Sequence, residues 1–407
     1  MKTRDVVVVG GGPCGSFAAL NLAKLGVDVA VFEEHSEIGV PSHCAGHLSI
    51  KGLSRLGLHS LPAGIMENTF HGAVFHSSES KKFKIRFASP VSCAVDRVAF
   101  DKYLAEMAER GGAQYSFGSR VESLVIEDGS VKGVSVKREG RAPERILAKV
   151  VIDAEGISSR LLRQIGLETL NRRMLVNGVE AEVGGVKNVE PDVVELFFGK
   201  DYAPDFYAWL IPQSDVRAKV GLAVRNGNPG AALRQLMLGH PAASSKLGTA
   251  KILHKAFHPI TLGGPIPKTY SNGFVAVGDA ASQVKPTTGG GVVFGMTCAK
   301  IAAEVVYAAL CKEDFSSDFL RAYQRRCDEA MRFDVEIMLK FRRTLNAMSD
   351  ERIDEAIDLC SKLGLDKALR NFGDIDFQGQ SFLRVLRNPR MIPVAFYFFL
   401  QYLSANS

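Results

Sequence analysis

The chain has 407 residues, of which 46% are hydrophobic and 23% are charged, and its formal net charge is +6 at pH 7. This length predicts two or more domains, or one large α/β unit with an insertion, and the apolar content suffices for a sizeable core. The mild charge, without basic runs or basic side chains interleaved with aromatic ones, argues against a nucleic-acid-binding protein.

Cysteine usage and the N-terminus bear on the cellular compartment. The seven cysteines are scattered and form no Cys-x-x-Cys pair, which argues against a disulfide framework or a metal site and favours a reducing environment. The first predicted strand begins almost at Met1, which leaves no room for a signal peptide, and no apolar run reaches the length needed to span a bilayer. We therefore expect a cytoplasmic protein without a metal site.

A glycine-rich turn follows the first predicted strand, which covers residues 5–9. Gly10, Gly12 and Gly15 fit the pattern Gly-x-Gly-x-x-Gly, and a helix is predicted over 16–25. In this pattern the first glycine allows a tight turn, the second admits a pyrophosphate close to the backbone, and the third lets the helix pack on the strand. The free N–H groups at the start of the helix favour phosphate.

A second predicted strand, residues 27–32, is followed by the acid pair Glu33 and Glu34. An acid about 20 residues after such a turn is placed to accept hydrogen bonds from a ribose. Strand, turn, helix, strand and acid occur in the order that a dinucleotide-binding unit requires. The sequence therefore predicts a Rossmann-like unit at its N-terminus.

The loop over residues 35–49 combines Gly, Pro and polar residues with two reactive side chains, Cys44 and His47. Reactive side chains on a loop that a rigid scaffold holds are common in active sites. The thiol of Cys44 is a weak acid, and the imidazole of His47 titrates closer to neutral pH, so both are candidate catalytic residues.

The rest of the chain alternates short strands with single helices, and its end is predicted to be helical. The sequence predicts a hairpin over 72–87, a helix from Asp96 to Arg110, strands over 121–126 and 131–136, a strand over 148–154 that turns at Gly156, strands near 176–183, 193–198, 207–211 and 219–224 with a helix near 229–238, a strand over 274–277, and a long helix to Cys311.

Three motifs along the chain resemble those of the flavoproteins related to para-hydroxybenzoate hydroxylase. They are the opening glycine turn, the strand and turn over 148–156, and the pair Gly278-Asp279. The resemblance implies FAD as the cofactor, with its ADP part on the first βαβ unit and its ribityl-pyrophosphate region near Asp279. One departure is Glu155 before Gly156, where that family usually has Asp.

The resemblance also implies a set of contacts to FAD. Arg97 stands at the helix start where the family has an arginine that reaches the cofactor, and the helix after Gly291 would present its positive end to the isoalloxazine. The implied FAD-binding residues are Gly10, Gly12, Pro13, Cys14, Gly15, Glu33, Glu34, Cys44, Ala45, Arg97, Val121, Glu155, Gly156, Asp279, Gly289, Gly290 and Gly291.

A more specific resemblance lies further along the chain. Tyr207-x-Trp209-x-x-Pro212, followed after eight residues by Gly221, resembles the Y-x-W-x-F-P-x8-G-x-G motif of the geranylgeranyl reductase family, to which the archaeal digeranylgeranylglycerophospholipid reductases belong. The loop around Cys44 resembles that family's P-x-x-C-G-x-G-L-S loop. The departures are Ile211 for Phe, Ala223 for Gly, and Ala45 and His47 for two glycines.

This resemblance implies an FAD-dependent reductase that saturates C=C bonds of geranylgeranyl or other isoprenoid chains by hydride transfer from flavin N5. The substrates would be archaeal-type ether lipid precursors or polyprenyl compounds, bound by Tyr207, Trp209, Pro212 and Gly221. Because an isolated alkene is not polarised by a carbonyl, a proton must arrive almost together with the hydride, in a dry groove. Cys44 is one candidate donor of this proton, and His47 is the rival.

Two alternatives remain open. A flavin monooxygenase or halogenase could use the same fold, but the halogenase W-x-W-x-I-P signature is absent because Trp209 is the only tryptophan in the chain. A quinone-linked electron-transfer flavoprotein would normally carry a cysteine cluster for iron and sulfur, which the sequence lacks. The sequence has one dinucleotide fingerprint and therefore no second Rossmann unit for NADPH. The electron donor (NADPH, ferredoxin or another reductant) is then either a small molecule that binds transiently or a protein.

The C-terminal segment, residues 386–403, is strongly apolar and aromatic, with Arg384, Arg387 and Arg390 near its start. It is too short to span a bilayer. One interpretation is an interfacial segment that contacts the inner face of a membrane peripherally, and the other is a helix packed on the core or on a second subunit.

These elements together predict an α/β fold with three parts. A Rossmann-like FAD-binding domain is formed by residues 1–68, 95–168 and 266–312, an inserted mixed or antiparallel β-sheet domain for the substrate by residues 69–94 and 169–265, and a C-terminal helical region by residues 313–407.

Overall fold

The structure is a computed structural model that describes residues 2–79, 81–369, 374–379, 389 and 392–406. Its strands are β1 (Lys2–Val9), β2 (Val29–Phe32), β3 (His47–Ser49), β4 (Met66–Phe70), β5 (Gly72–His76), β6 (Lys82–Arg86), β7 (Ser92–Val95), β8 (Gln114–Ser116), β9 (Ser119–Glu127), β10 (Ser130–Arg138), β11 (Glu144–Asp153), β12 (Leu175–Gly184), β13 (Val193–Phe197), β14 (Ala208–Pro212), β15 (Arg217–Val224), β16 (Lys251–Thr261), β17 (Tyr270–Ser271) and β18 (Phe274–Ala276).

The helices confirm the predicted α/β class with helices at the C-terminal end. They are α1 (Pro13–Ala23), α2 (Ile50–Arg55), α3 (Arg97–Arg110), α4 (Arg160–Gln164), α5 (Pro229–Gly239), α6 (Pro241–Leu247), α7 (Val292–Lys312), α8 (Ser317–Ala347), α9 (Asp350–Lys362), α10 (Leu365–Leu369) and α11 (Ile392–Asn406). The first helix begins earlier than the predicted position 16, because a proline is well suited to the first position of a helix and Pro13 occupies it.

The chain divides into two compact units, each built from three separate segments. Unit 1 comprises Met1–Pro41, Val98–Met174 and Thr261–Arg332, and unit 2 comprises Ser42–Arg97, Leu175–Ile260 and Phe333–Ser407. These boundaries differ from the predicted ones in two respects. The loop that carries Cys44 belongs to the same unit as the Tyr-x-Trp strand, and the C-terminal helices are shared between the units.

Unit 1 contains an eight-stranded sheet with a parallel centre in the order β18-β11-β1-β2-β8. The hairpin of β9 and β10 pairs antiparallel with β11, and β17 pairs antiparallel with β18. Residues 6–9 of β1 and 150–153 of β11 are buried, as expected for parallel strands covered on both faces. Because the central strands run in parallel, the residues that follow them meet at one edge of the sheet.

Unit 2 contains a seven-stranded sheet in the order β16-β12-β15-β14-β13-β5-β6. One face of its central strands packs against α5 and α6 through alternating apolar residues such as Ala181, Val220 and Leu222. The residues between them, which include Glu180 and Trp209, lie on the opposite face. A three-stranded sheet, β3-β7-β4, packs against that second face through an apolar cluster of Phe70, Ala94, Val194 and Ile211.

The helix α7 differs from one expectation. Within the part of the chain that the structure describes, it is the one helix that is long and apolar enough by composition to cross a membrane, whereas the sequence predicted no such run. Its apolar window is 67% buried inside the protein, and its partner in packing is α1. Core helices of this kind satisfy the same length and composition test as membrane spans.

The last helix, α11, presents apolar side chains on two sides. Val394 is buried and Phe398 packs against Phe341, whereas Phe396 and Phe399 are 58% and 52% exposed. Ile392 and Leu400 extend this exposed side. The three arginines at positions 384, 387 and 390, which the sequence places near the start of the segment, lie outside the described residues.

Candidate functional site

The three glycines after β1 serve different purposes. A Cβ on Gly15 would lie 2.0 Å from the carbonyl oxygen of Gly10, and a Cβ on Gly10, whose φ is +94°, would lie 2.5 Å from the oxygen of Ala154. These two positions are glycine because strand, turn and helix approach one another closely. A Cβ on Gly12 would meet no atom within 4 Å. Packing within the chain does not require Gly12, so its open space suits a ligand that approaches the start of α1.

Glu33 follows β2 and is joined to the glycine turn. Its Oε2 accepts a hydrogen bond from the backbone N–H of Gly11 at 2.7 Å, and its Oε1 accepts from the N–H of His35 at 2.9 Å. Glu34 points elsewhere and forms an exposed ion pair with Arg120 at 3.4 Å. Of the predicted acid pair, only Glu33 therefore lies at the turn.

Asp153, the last residue of β11, is not among the predicted site residues, and it pairs in register with Val9 beside the turn. Its Oδ1 accepts from the N–H of Glu155 at 3.0 Å, and its Oδ2 has no hydrogen-bond partner among the described residues. Burial, with the Glu155 carboxylate nearby, raises the pKa of Asp153 well above its ordinary value. The usable signal in the sequence was an acid near the end of the strand predicted over residues 148–154.

Glu155 acts as a cap in this structure. Its Oε1 accepts from the N–H of Leu161 at 2.7 Å, its Oε2 accepts from the hydroxyl of Ser158 at 3.0 Å, and Arg160 forms an ion pair with it at 3.4 Å. These contacts stabilise the start of α4. The neighbouring Gly156 has a φ of +70°, the left-handed region that glycine adopts at low cost.

The turn after β18 brings Asp279 to the start of α7. A Cβ on Gly291 would lie 2.8 Å from Oδ1 of Asp279, and a Cβ on Gly290 would lie 2.8 Å from Cε of Lys285. The glycine run thus lets a carboxylate and a lysine side chain approach the N-terminal end of the helix. Gly289, with a φ of +69°, provides the turn into this run.

Two other predicted cofactor contacts have side chains engaged in packing. The thiol of Cys14 lies 2.8 Å and 2.4 Å from the positions that Cβ atoms on Gly278 and Gly295 would occupy, so it fills the space beside α7. Val121 is buried in the β9–β10 hairpin, where it pairs with Val136. Pro13 starts α1, as described above.

In unit 2, the loop that carries Cys44 leads directly into β3. The Cys44 sulfur accepts from the N–H of Gly46 at 3.5 Å. His47 is the first residue of β3; its Nε2 lies 2.8 Å from Oγ of Ser92, and its ring packs edge-on to Phe70 at 5.5 Å. The sheet therefore holds the imidazole of His47, whereas Cys44 is half-buried before the strand begins.

Two further side chains adjoin this loop. The Cγ of Arg97 lies 3.3 Å from the position of a Cβ on Gly46. The ring of His43 stacks on that of His258 with centroids 3.8 Å apart. Burial, with His43 and Arg97 close by, lowers the pKa of His258 to about 3, so this imidazole is neutral.

Three adjacent strands of unit 2 align Glu180, Gly221 and Trp209. Gly221 of β15 pairs with Glu180 of β12 on one side and with Trp209 of β14 on the other. A Cβ on Gly221 would lie 2.4 Å from Cζ2 of Trp209, so the indole lies across the glycine. The indole Nε1 donates to Oε2 of Glu180 at 2.8 Å. The Trp-to-Gly spacing of the motif is thereby explained: the glycine makes room for the tryptophan.

Tyr207 and Pro212 flank this tryptophan along the chain. The Tyr207 ring stacks on Phe206 with centroids 4.4 Å apart and meets Trp209 edge-on at 6.1 Å. Burial raises the pKa of Tyr207 to about 12, so the phenol is neutral. The carbonyl of Pro212 accepts from the amide of Asn68 at 2.9 Å, which joins β14 to β4.

The structure brings the Cys44 loop and the tryptophan motif to one side of the seven-stranded sheet. Ala45, next to Cys44, and Trp209 both pack against the apolar cluster of Phe70, Ala94, Val194 and Ile211. Among the described residues, no group of three or more His, Cys, Asp or Glu side chains is arranged to hold a metal ion.

Comparison with known proteins places these features in context. Residues 3–333 match the family described as FAD binding domain. The chain is 35% identical over 400 residues to digeranylgeranylglycerophospholipid reductase 2 of Methanothermobacter thermautotrophicus, covering 94% of this chain and 99% of the relative. It is 34% identical over 363 residues to digeranylgeranylglycerophospholipid reductase 2 of Methanopyrus kandleri, covering 87% and 90%.

Solved structures show the same fold. A geranylgeranyl bacteriochlorophyll reductase-like protein from Thermoplasma acidophilum superposes with a TM-score of 0.86 at 24% identity, covering 98% of this chain and 100% of the other. The flavin-dependent brominase Bmp2 superposes with a TM-score of 0.74 at 19% identity, covering 95% and 98%. At these identities the likeness concerns the fold alone.

The variant Gly221→Ala tests the crossing of the indole over the glycine. The added methyl would overlap the Trp209 ring, so we expect the indole to move and the free energy of unfolding to fall by about 1–3 kcal/mol. Because Trp209 is the only tryptophan, its fluorescence emission should shift to longer wavelength. Ala223→Gly, two residues along the same face of β15, is the control and should leave the emission unchanged. Unaltered emission in Gly221→Ala would contradict this geometry.

Proposed function

We propose the function from one premise: this chain belongs to the FAD binding domain family and, within it, to the digeranylgeranylglycerophospholipid reductases. It is an FAD-dependent reductase that saturates C=C bonds of geranylgeranyl chains in the synthesis of archaeal-type lipids. The structural observation that carries the proposal is the packing of Ala45 and Trp209 against one apolar cluster of unit 2, which gathers the reactive loop and the aromatic motif on one sheet face.

The residues of unit 1 fit FAD. The open space at Gly12, directly before α1, suits a pyrophosphate, and Glu33 lies beside it for a ribose. The unpaired Oδ2 of Asp153 supplies a further polar atom at the same edge. When bound, FAD supplies the hydride that an isolated C=C bond requires.

The chain itself must supply the proton. A saturated product needs one proton for each hydride, and the alkene offers no carbonyl to stabilise negative charge, so the donor must be close and the site dry. We assign this role to Cys44, which is half-buried next to the apolar cluster. The Nε2 of His47 lies against Ser92 and its ring against Phe70, which favours a supporting role for this residue.

The substrate wall is assigned to Tyr207 and Trp209. Both rings are fixed, the first by stacking on Phe206 and the second by its hydrogen bond to Glu180. A hydrocarbon chain gains its binding energy from contact with such apolar surfaces. Pro212 and Gly221 shape the wall indirectly, through the join to β4 and the space under the indole.

The halogenase alternative has less support. The brominase likeness extends to the fold alone, whereas the relatives that match over nearly the full chain are named as reductases. In the aromatic motif of this chain, the single tryptophan is occupied by its bond to Glu180.

The reaction can be tested without oxygen. We expect the photoreduced holoprotein to be reoxidised by digeranylgeranylglyceryl phosphate, with a gain of two hydrogens per reduced bond in the lipid mass. Cys44→Ala should slow this single turnover by about 100-fold or more, since general acids typically contribute factors of 10²–10⁴. The exposed Cys311→Ser is the control and should react at the wild-type rate.

The outcomes separate the alternatives. Reoxidation only by oxygen in the presence of an aromatic compound would support a monooxygenase, and reoxidation only by a quinone would support an electron carrier. A rate lost in His47→Asn but kept in Cys44→Ala would move the proton donor to His47.

The two acids after β2 provide a matched test of the cofactor site. The carboxylate of Glu33 accepts hydrogen bonds from the N–H groups of Gly11 and His35, and in Glu33→Gln one of its oxygens is replaced by an NH2 group that cannot accept. We therefore expect the affinity for FAD to fall by about 10-fold or more. Glu34→Gln changes an exposed ion pair and should alter the affinity by less than about twofold. Fluorescence titration of the apoprotein with FAD measures both. Equal effects of the two substitutions would contradict the assignment of Glu33.

We also propose that the exposed side of α11 contacts the membrane in which the lipid substrates reside. Ile392, Phe396, Phe399 and Leu400 form an apolar stripe that turns away from the packed side of the helix. The positive net charge of the chain favours an anionic lipid surface. The protein would then bind peripherally, through one helix face.

Flotation with vesicles of phosphatidylcholine and phosphatidylglycerol tests this contact. The double variant Phe396→Ser and Phe399→Ser should reduce the binding constant by about tenfold or more, because each buried phenyl ring contributes about 1.5–3 kcal/mol. The control replaces Leu253 and Phe257 of β16, which are similarly exposed, by serine and should float as the wild type does. Undiminished flotation of the α11 variant would refute the contact.

A further inference from the structure

We propose that Glu180 is a further positioning and specificity-determining residue of the isoprenoid site: it fixes the indole of Trp209 across Gly221 and decides whether this wall carries a charge. The inference rests on the proposed function, because the wall matters only if it faces a hydrocarbon chain. Glu180 belongs to none of the sequence motifs above, and its importance becomes visible only through strand register.

The geometry makes Glu180 the anchor of the tryptophan. The carboxyl group lies one strand beyond Gly221, and because that position has no side chain, the indole reaches across and donates to Oε2 at 2.8 Å. Glu180 is only 9% exposed, and its Oε1 has no hydrogen-bond partner among the described residues. An indole N–H needs one acceptor oxygen, so the second oxygen is left for a proton or for a ligand.

The charged groups around Glu180 are already engaged with one another. Lys219 on β15 donates to Glu67 of β4 at 2.6 Å and to the carbonyl of Val95 at 3.1 Å. Glu182, two residues along β12, lies 3.8 Å from Arg217. Lys219 is therefore compensated by Glu67, and no cation among the described residues forms an ion pair with Glu180.

This environment favours the protonated acid. Burial raises the pKa of Glu180 to about 8, with Glu182 and Glu67 adding to the rise, while the indole hydrogen bond and Lys219 oppose it. At neutral pH the group is mostly a neutral carboxylic acid that accepts from Trp209 through one oxygen. Above pH 8 it becomes a buried anion, and a charge in this position penalises an apolar chain laid against the wall.

Two pH dependences follow. The native pKa lies above the ordinary value of 4.5, so the stability linked to this proton is fully present below pH 4.5 and is lost as the pH rises through 8. Substrate binding depends on the same proton, so the KM for the isoprenoid should rise by about tenfold between pH 7 and pH 9, while kcat stays nearly constant.

The single tryptophan allows a direct test that needs no turnover. In holoprotein labelled with 15N-tryptophan, the one indole N–H resonance reports on Trp209. We expect this resonance to titrate between pH 6 and pH 10, with a midpoint near 8 in the wild type and a somewhat lower midpoint in the control Glu182→Gln, which loses one nearby carboxylate. In Glu180→Gln the amide oxygen still accepts from the indole but carries no titrating proton, so the resonance should not move.

The pH dependence of KM is measured for the same three proteins. The KM for the isoprenoid should rise with pH in the wild type and in Glu182→Gln and should be independent of pH in Glu180→Gln. A wild-type resonance that does not titrate, or one that titrates equally in Glu180→Gln, would overturn the assignment whatever the substrate is. A titrating resonance in a protein that reduces no isoprenoid would instead overturn the proposed function and leave Glu180 as the anchor of Trp209.

Discussion

Close backbone approach at positions without a side chain is the constraint on which both units depend. In unit 1, α1 can follow β1 only because Gly15 lies against the carbonyl of Gly10, with no room for a methyl group. This contact brings the N–H groups of α1 to the edge where the parallel strands end. In unit 2, the indole of Trp209 reaches Glu180 only because Gly221 leaves its path open. Gly12 differs from both, since a Cβ at this position would meet no atom within 4 Å.

Much of the fold could be predicted because its signals are local. Strand periodicity, the glycine turn and the proline at the start of α1 each lie within a few residues, and the structure reproduces them. Asp153 and Glu180 were missed because their partners come from distant parts of the chain. Neither the pairing of Asp153 with Val9 nor the alignment of Glu180 with Trp209 is visible before the strand register is known. A motif also does not show where its side chains point: the side chain of Glu155 caps α4, and the thiol of Cys14 packs between two glycines.

The two missed residues share one physical property. Asp153 and Glu180 are buried acids that each have one oxygen without a hydrogen-bond partner among the described residues, and burial raises the pKa of both. A buried carboxyl group with one oxygen lacking a hydrogen bond lowers the free energy of unfolding. A well-packed apolar residue at the same position would give a more stable fold. Local conflicts of this kind concentrate at functional sites. Asp153 lies at the strand ends of unit 1 where we propose that FAD binds, and Glu180 lies on the face of unit 2 that we assign to the substrate, which agrees with that rule.

On the face of the seven-stranded sheet opposite α5 and α6, Glu180, Glu182 and Lys219 alternate with core residues. Such a pattern is typical of a sheet face exposed to solvent. A hydrocarbon chain cannot lie against uncompensated charges, and the structure resolves this conflict in two ways. The charge of Lys219 is compensated by Glu67, and its ammonium group also donates a hydrogen bond to the carbonyl of Val95. Glu180 is neutralised by its own proton, which burial retains. The rings of Tyr207 and Trp209, which we propose as the substrate wall, lie on the same face as these two compensated groups. Under the role proposed for Glu180, the protonation of a residue outside every motif would control the affinity of this wall for its substrate.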